Sequence, residues 1–196
     1  MKNLIIFMTI CVFTSAFAVG NEQDGFKKSN TCSACHGKRG ISINPLWPNL
    51  AGQNEHYLLK QLIDFKKGNH PIMSPAVQHL NEQDMAMLAA FYANLPPPSG
   101  TTLKTFLKRG EQLYRGGDYK KHITACIACH GPRGTGNNQA GFPSLSGQNP
   151  AYTIQQLQAF KAHTRQNDLH SIMQDISSRM SVEDMEAVAH YVAGLH

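Results

Sequence analysis

Apolar side chains along the chain recur at helical spacing and never in the alternation of a half-buried strand. Met85, Leu88, Ala89, Tyr92 and Leu95 follow the i, i+3, i+4, i+7 rule, and Met185, Val188, Ala189, Val192 and Leu195 repeat it. Leu58, Leu62 and Phe65 share one helical face, as do Ile154, Leu157 and Phe160. Asn54 and Asn149 read as N-caps, with Pro150 in the first helical position, where a missing N–H costs nothing. Asn81 with Asp84, and Ser181 with Asp184, resemble capping boxes with Asp in place of Glu. A further helix is expected from about Lys104 to Tyr114, stopping at Gly116-Gly117. Its earlier counterpart, around Glu22 to Ser29, is shorter and poorer in apolar residues. The pattern predicts an all-α fold.

The N-terminus has a different character. Lys2 precedes the apolar run Leu4 to Phe13, and Ala16-Phe17-Ala18 fits a small-x-small cleavage site. Residues 1–18 therefore read as a secretory signal peptide, with an uncleaved membrane anchor as the rival reading. The apolar run is too short for a confident bilayer span. Of five cysteines, Cys11 leaves with this peptide, and the other four enter an exported, oxidising compartment.

Those four fall in two identical patterns, Cys32-Ser33-Ala34-Cys35-His36 and Cys126-Ile127-Ala128-Cys129-His130, 94 residues apart and each followed by glycine. The similarity extends further. Pro48-Asn49-Leu50-Ala51-Gly52-Gln53-Asn54 faces Pro143-Ser144-Leu145-Ser146-Gly147-Gln148-Asn149 at offset 95, and Met73, Asp84, Met85, Ala89 and Leu95 face Met173, Asp184, Met185, Ala189 and Leu195 at offset 100. Between the halves lies a proline-rich spacer, residues 96–102, of the kind that ends a helix and stays semi-rigid. The expected organisation is a first domain over 19–95 and a second over 103–196.

A unit of this size with a few short helices buries little apolar surface alone. The Cys-x-x-Cys-His pattern names what fills it, a covalently attached c-type haem. Two thiols add to the two vinyl groups of one porphyrin edge, and the adjacent histidine, His36 or His130, is held under the iron. A four-thiolate zinc site would have to join cysteine pairs across the spacer and leaves both histidines unexplained. A thioredoxin-like redox pair needs a βαβ context that the chain lacks. For the sixth ligand, Met73 and Met173 hold matching places in loops before the last helix of each half, 37 and 43 residues after the histidine. Met85, Met87, Met180 and Met185 read as core gap-fillers. His70, His79, His163 and His170 are the rival ligands; His56, His122, His190 and His196 have no repeat-matched partner and read as surface residues. His/Met ligation leaves no open position on the iron and favours the ferrous state, which suits single-electron transfer over substrate chemistry.

The paired Cys-x-x-Cys-His-Gly sites, Pro-x-Leu-x-Gly-Gln, Tyr-x-x-x-Gln-Leu and the loop methionines together resemble the dihaem cytochrome c4 family over about residues 21–196. The resemblance implies a tandem pair of class I cytochrome c domains related by pseudo-twofold symmetry, with haem propionates near the interface. It implies a periplasmic electron carrier, often loosely membrane-associated, that takes electrons from a respiratory donor and passes them toward a haem–copper terminal oxidase. It also implies that the carbonyls of Pro48 and Pro143 accept from the proximal histidines and orient them. A dihaem redox enzyme, a peroxidase or a sulfur-compound dehydrogenase, is the alternative, and it would need one displaceable axial ligand.

Charge then changes meaning. The full chain carries a formal +5, which invites a nucleic-acid reading. The basic residues are scattered without aromatic interleaving, and the protein is exported, so no nucleic-acid partner is expected. Two haems bring four propionates, about −4 before the iron is counted, so the loaded protein is near neutral. Residues 99–196 hold ten basic against seven acidic side chains, while 19–98 hold seven against six. The excess lies on the second half, where it can steer an acidic partner.

Overall fold

The computed structural model of the protein describes residues 22–68 and 70–196; residues 1–18, read above as a signal peptide, lie outside the described residues. Ten α-helices succeed one another in the described chain: α1 (Glu22–Lys28), α2 (Asn30–His36), α3 (Glu55–Lys67), α4 (Met73–Val77), α5 (Glu82–Ala93), α6 (Lys104–Glu111), α7 (Ile127–His130), α8 (Pro150–Lys161), α9 (Ile172–Ser178) and α10 (Val182–Ala193). Two isolated antiparallel bridges, Asp118–Ile123 and Asn137–Phe142, are the only strand-like pairings among these residues. The fold is all-α, as the periodicity predicts.

Two separate apolar clusters form. One gathers Leu58, Val77, Leu80, Met85, Leu88, Ala89, Phe91 and Tyr92. The other gathers Leu113, Tyr114, Ile123, Leu157, Met180, Met185, Val188, Tyr191, Val192 and Leu195. In the first, α5 packs on α1 and α3; in the second, α10 packs on α6 and α8. Both capping boxes form, with the Asn81 and Ser181 side chains accepting from the Asp84 and Asp184 backbone N–H groups and each aspartate accepting in return from the cap residue's N–H. The helix expected over 104–114 runs as α6 and then a π-turn over Gln112–Gly116. His190, expected on the surface, is half-buried and stacked on Phe106 at 4.4 Å between ring centroids. Its position on α10 faces α6, and repeat-matching carries no information about a pair made within one unit.

The terminal helices of each unit cross at a glycine. A methyl group on Gly110 would lie 2.4 Å from the Ala187 carbonyl oxygen and 2.5 Å from Tyr191 Cβ. Gly25 has the matching relation to Met87 (2.4 Å) and Phe91 (2.6 Å). The absent side chain lets two helix backbones approach, and the large apolar residues on either side of the crossing then reach the core. Near the spacer the same logic recurs: a methyl group on Gly52 would meet Pro97 at 2.6 Å, and one on Gly147 the Pro98 carbonyl oxygen at 2.1 Å. The prolines therefore lie against both units at the glycine of the repeated Leu-x-Gly-Gln run.

Charge closes the second unit at the same crossing. Asp184 is buried at 2 % exposure and accepts from Arg109 (2.6 and 2.9 Å), Lys121 (2.6 Å) and the Ser181 N–H (3.1 Å). Burial alone would raise its pKa, but the Lys121 and Arg109 hydrogen bonds outweigh it and hold the carboxyl down at about 2.

Two predictions follow from this packing. Gly110→Ala should destabilise the protein by about 1–3 kcal/mol through forced separation of α6 and α10, read as a lower midpoint in thermal unfolding. Gly116→Ala, where nothing lies within 4 Å of the added methyl, should leave the midpoint nearly unchanged. A depressed carboxyl contributes stability above its unfolded pKa of 3.8, lost as pH falls toward the folded value of about 2. Asp184→Asn should therefore cost about 2 kcal/mol at neutral pH, and the deficit should shrink between pH 4 and 2 in acid-unfolding curves; a deficit independent of pH would contradict the assignment.

Candidate haem-binding sites

In each unit the cysteine motif occupies a helical turn. Cys32, Cys35 and His36 lie in α2, at i, i+3 and i+4, so all three side chains share one face. Cys126 stands at the cap of α7, with Cys129 and His130 in it at the same spacing. All four thiols are free. Burial pushes the Cys126 thiol up to about 11 and raises that of Cys32, so both are neutral thiols near pH 7.

The two histidines are buried at 7 % exposure each. Burial lowers both pKa values, outweighing the opposing effect of their hydrogen bonds to the Pro48 and Pro143 carbonyls, so each ring is neutral. The Nδ1–H of His36 donates to the Pro48 carbonyl oxygen at 3.0 Å, and that of His130 to Pro143 at 2.9 Å. A carbonyl only accepts, so Nδ1 carries the proton and Nε2 keeps its lone pair free. The loops bearing these prolines are folded by a matched device. The Gly40 carbonyl accepts from the N–H groups of Leu50 (2.7 Å) and Ala51 (3.1 Å), and the Gly134 carbonyl from those of Leu145 (2.7 Å) and Ser146 (3.1 Å).

Met73 and Cys32 pack, half-buried, against the first apolar cluster, and Met173 and Cys126 against the second. The methionines do not lie in open loops as expected from the sequence. Met73 begins α4 and Met173 is the second residue of α9. Both short helices are capped from the preceding loop: His70 Nδ1 accepts from the Met73 N–H (3.1 Å), and Asp168 Oδ2 from the Met173 N–H (2.8 Å). Short helices held by tertiary caps carry no periodic signal. Of the rival ligands, His70 thus serves as a cap, His163 Nδ1 lies 2.8 Å from Gln174 Oε1, and all four rivals are exposed. Met85, Met180 and Met185 are core residues at 1–2 % exposure, and Met87 is half-buried.

The residues present fit a covalent haem in each unit. Each offers two unpaired thiols on one helical face, a buried neutral imidazole with its outer nitrogen anchored, and a thioether in the same half-buried apolar wall. The thiols suit addition to porphyrin vinyl groups, and imidazole with thioether is a donor pair suited to haem iron.

Sequence reasoning missed the contacts between units. Asn54 and Asn149 make no side-chain cap bond. Instead Asn54 Nδ2 donates to the carbonyls of Phe142 (2.7 Å) and Thr135 (3.1 Å), and Asn149 Nδ2 to that of Trp47 (2.9 Å). The Gln53 amide bonds Ser144, and the Gln148 amide bonds Asn49. The loop of the second unit that is longer than its counterpart reaches back as well. Arg165, over the Phe160 ring at 4.6 Å, donates to Tyr57 Oη (2.9 Å) and Gln61 Oε1 (3.0 Å), and Asn167 Nδ2 to Asp64 Oδ2 (2.9 Å). The only available signal was that Gln and Asn recur in both repeats next to the proline loop, and that the repeat lengthens where Arg165 lies.

All-helical units with a Cys-x-x-Cys-His turn, an anchored imidazole and a half-buried thioether define a c-type cytochrome. Comparison with known proteins agrees and narrows the class. The family model described as cytochrome c matches residues 107–196. Cytochrome c4 of Stutzerimonas stutzeri is 38% identical over 203 residues, covering 97% of both chains. The crystal structure of reduced recombinant cytochrome c4 from Pseudomonas stutzeri superposes with a TM-score of 0.87 at 40% identity, covering 90% of this chain and 100% of that one. A protein named thiosulfate dehydrogenase electron acceptor, from Stutzerimonas stutzeri, is 35% identical over 170 residues, covering 84% of this chain and 78% of its own. The chain belongs to the cytochrome c4 family, and its cofactor is covalently bound haem c, two per chain.

Proposed function

We propose that this dihaem electron carrier works in the periplasm, with one haem in each of two domains, 19–95 and 103–196, joined by the spacer 96–102. In the first domain Cys32 and Cys35 hold the porphyrin edge, and His36 and Met73 ligate the iron. In the second, Cys126, Cys129, His130 and Met173 do the same. The observation that carries this reading is the matched triplet in each unit: free thiol pair, buried imidazole anchored on a proline carbonyl, and methionine in the same apolar wall. Bound haem supplies reversible one-electron chemistry. The chain contributes the ligands that poise it, an apolar wall beside it, and Pro48 and Pro143 to fix the imidazoles.

Export rests on the signal-peptide reading of residues 1–18. No helix among the described residues is long and apolar enough to cross a membrane. The donor and acceptor are redox proteins: a respiratory donor and a haem–copper terminal oxidase. A relative named as the electron acceptor of a dehydrogenase supports a carrier working between protein partners. The basic excess of the second domain favours a partner with an acidic docking face, whose association rate should fall as salt rises.

Redox titration of the purified protein should resolve two one-electron steps. Met73→Ala should lower the potential of one haem and Met173→Ala that of the other, because the soft thioether favours ferrous iron. Unchanged potentials in both variants would rule out methionine ligation. The reduced wild-type protein should not bind carbon monoxide rapidly, since both irons are six-coordinate; fast stoichiometric binding at one haem would instead favour the dihaem-enzyme alternative.

A further inference from the structure

Pro48 and Asn49 share one peptide group, and it is bonded on both sides. Its carbonyl accepts from His36 Nδ1 at 3.0 Å, and its N–H donates to Gln148 Oε1 of the other unit at 2.8 Å. The Pro143–Ser144 peptide has the same arrangement. Its carbonyl accepts from His130 Nδ1 at 2.9 Å, and its N–H donates to Gln53 Oε1 at 2.7 Å. Each glutamine is pinned at its other end as well: Gln148 Nε2 donates to the Asn49 carbonyl (3.0 Å) and Gln53 Nε2 to that of Ser144 (2.9 Å). Those second bonds fix which end of each amide faces the peptide N–H. All four residues are buried at 6–8 % exposure. The chain from imidazole to peptide to glutamine is therefore unbroken and crossed, each histidine ending on a buried side chain of the opposite unit.

We propose that Gln148 tunes the iron held by His36 and Gln53 the iron held by His130, so that each domain sets part of the other's reduction potential; this rests on the histidine-ligand reading above. The physical steps are few. An amide whose N–H donates a hydrogen bond becomes a stronger acceptor at its carbonyl, and the effect is largest in a low-dielectric interior. A stronger acceptor on Nδ1–H makes the imidazole a more basic ligand through Nε2. A more basic ligand stabilises ferric iron and lowers the potential. Gln53 and Gln148 are thus positioning residues that act through the peptide, and the units cannot part without changing both irons.

The test is a redox titration of full-length holoprotein followed optically and by NMR of the histidine Nδ1–H resonances, in the wild type and four variants. Gln148→Leu removes the acceptor and should shift the equilibrium of the first-domain haem toward ferrous by about two- to tenfold, tenfold being about 59 mV for one electron. The His36 Nδ1–H resonance should move upfield while that of His130 stays. Gln53→Leu should produce the mirror result. Gln148→Glu keeps an acceptor for the Asn49 N–H and strengthens it, so it should shift the first-domain haem the opposite way. Tyr57→Phe breaks an interface bond, that from Arg165, which involves neither proline loop, and should move neither potential. Equal shifts at both haems in all variants, or none in any, would overturn the proposal. Failure of the ligand reading is separately visible, because the wild-type His36 and His130 resonances would then not respond to oxidation of an iron.

Discussion

Two irregular loops, Pro48–Gln53 and Pro143–Gln148, are half to fully buried where no helix or sheet satisfies their backbone, and the structure is organised by how those polar groups are paired. An unpaired buried N–H or carbonyl costs about as much as a lost hydrogen bond. Here the inner side of each loop is satisfied by its own unit, through the His36 or His130 imidazole and the Gly40 or Gly134 carbonyl. The outer side is satisfied by the opposite unit, through Gln148 or Gln53. Holding the imidazole and joining the units are therefore a single structural requirement. Any change that opens the interface exposes the peptide group that anchors a buried histidine.

The rest of each unit serves that loop. The crossings at Gly25 and Gly110 bring the terminal helices close and seal one side of the apolar cluster. The other side is lined by half-buried Cys, Leu and Met side chains, a wall made to meet a flat apolar cofactor. With haem in place the cluster becomes a full core, which explains how fewer than 100 residues with short helices can form an ordered unit.

Much of this was legible in the sequence because it repeats. Period and caps located α3, α5, α8 and α10, and both capping boxes form as read. The cysteine motifs, Met73, Met173 and the two prolines stood out as matched pairs, since one copy tests the other. What escaped was whatever acts between copies or without period. Asn54 and Asn149 read as caps because they sit at helix starts, yet their amides cross to the other unit, a choice only tertiary structure makes. Short helices α4 and α9 read as loops because five to seven residues fix no hydrophobic period, and their caps, His70 and Asp168, come from outside any known box. The lengthened loop carrying Arg165 was visible as an insertion, but its purpose as interface material was not.

The central claim, one haem per unit with imidazole and thioether on each iron, is tested most directly by magnetic circular dichroism of the oxidised protein in the near infrared. The band from methionine sulfur to ferric iron should appear with an intensity of two ligand pairs per chain, and fall by half in either Met73→Ala or Met173→Ala. A wild-type band of half that intensity, or bands of the bis-histidine type, would contradict the account.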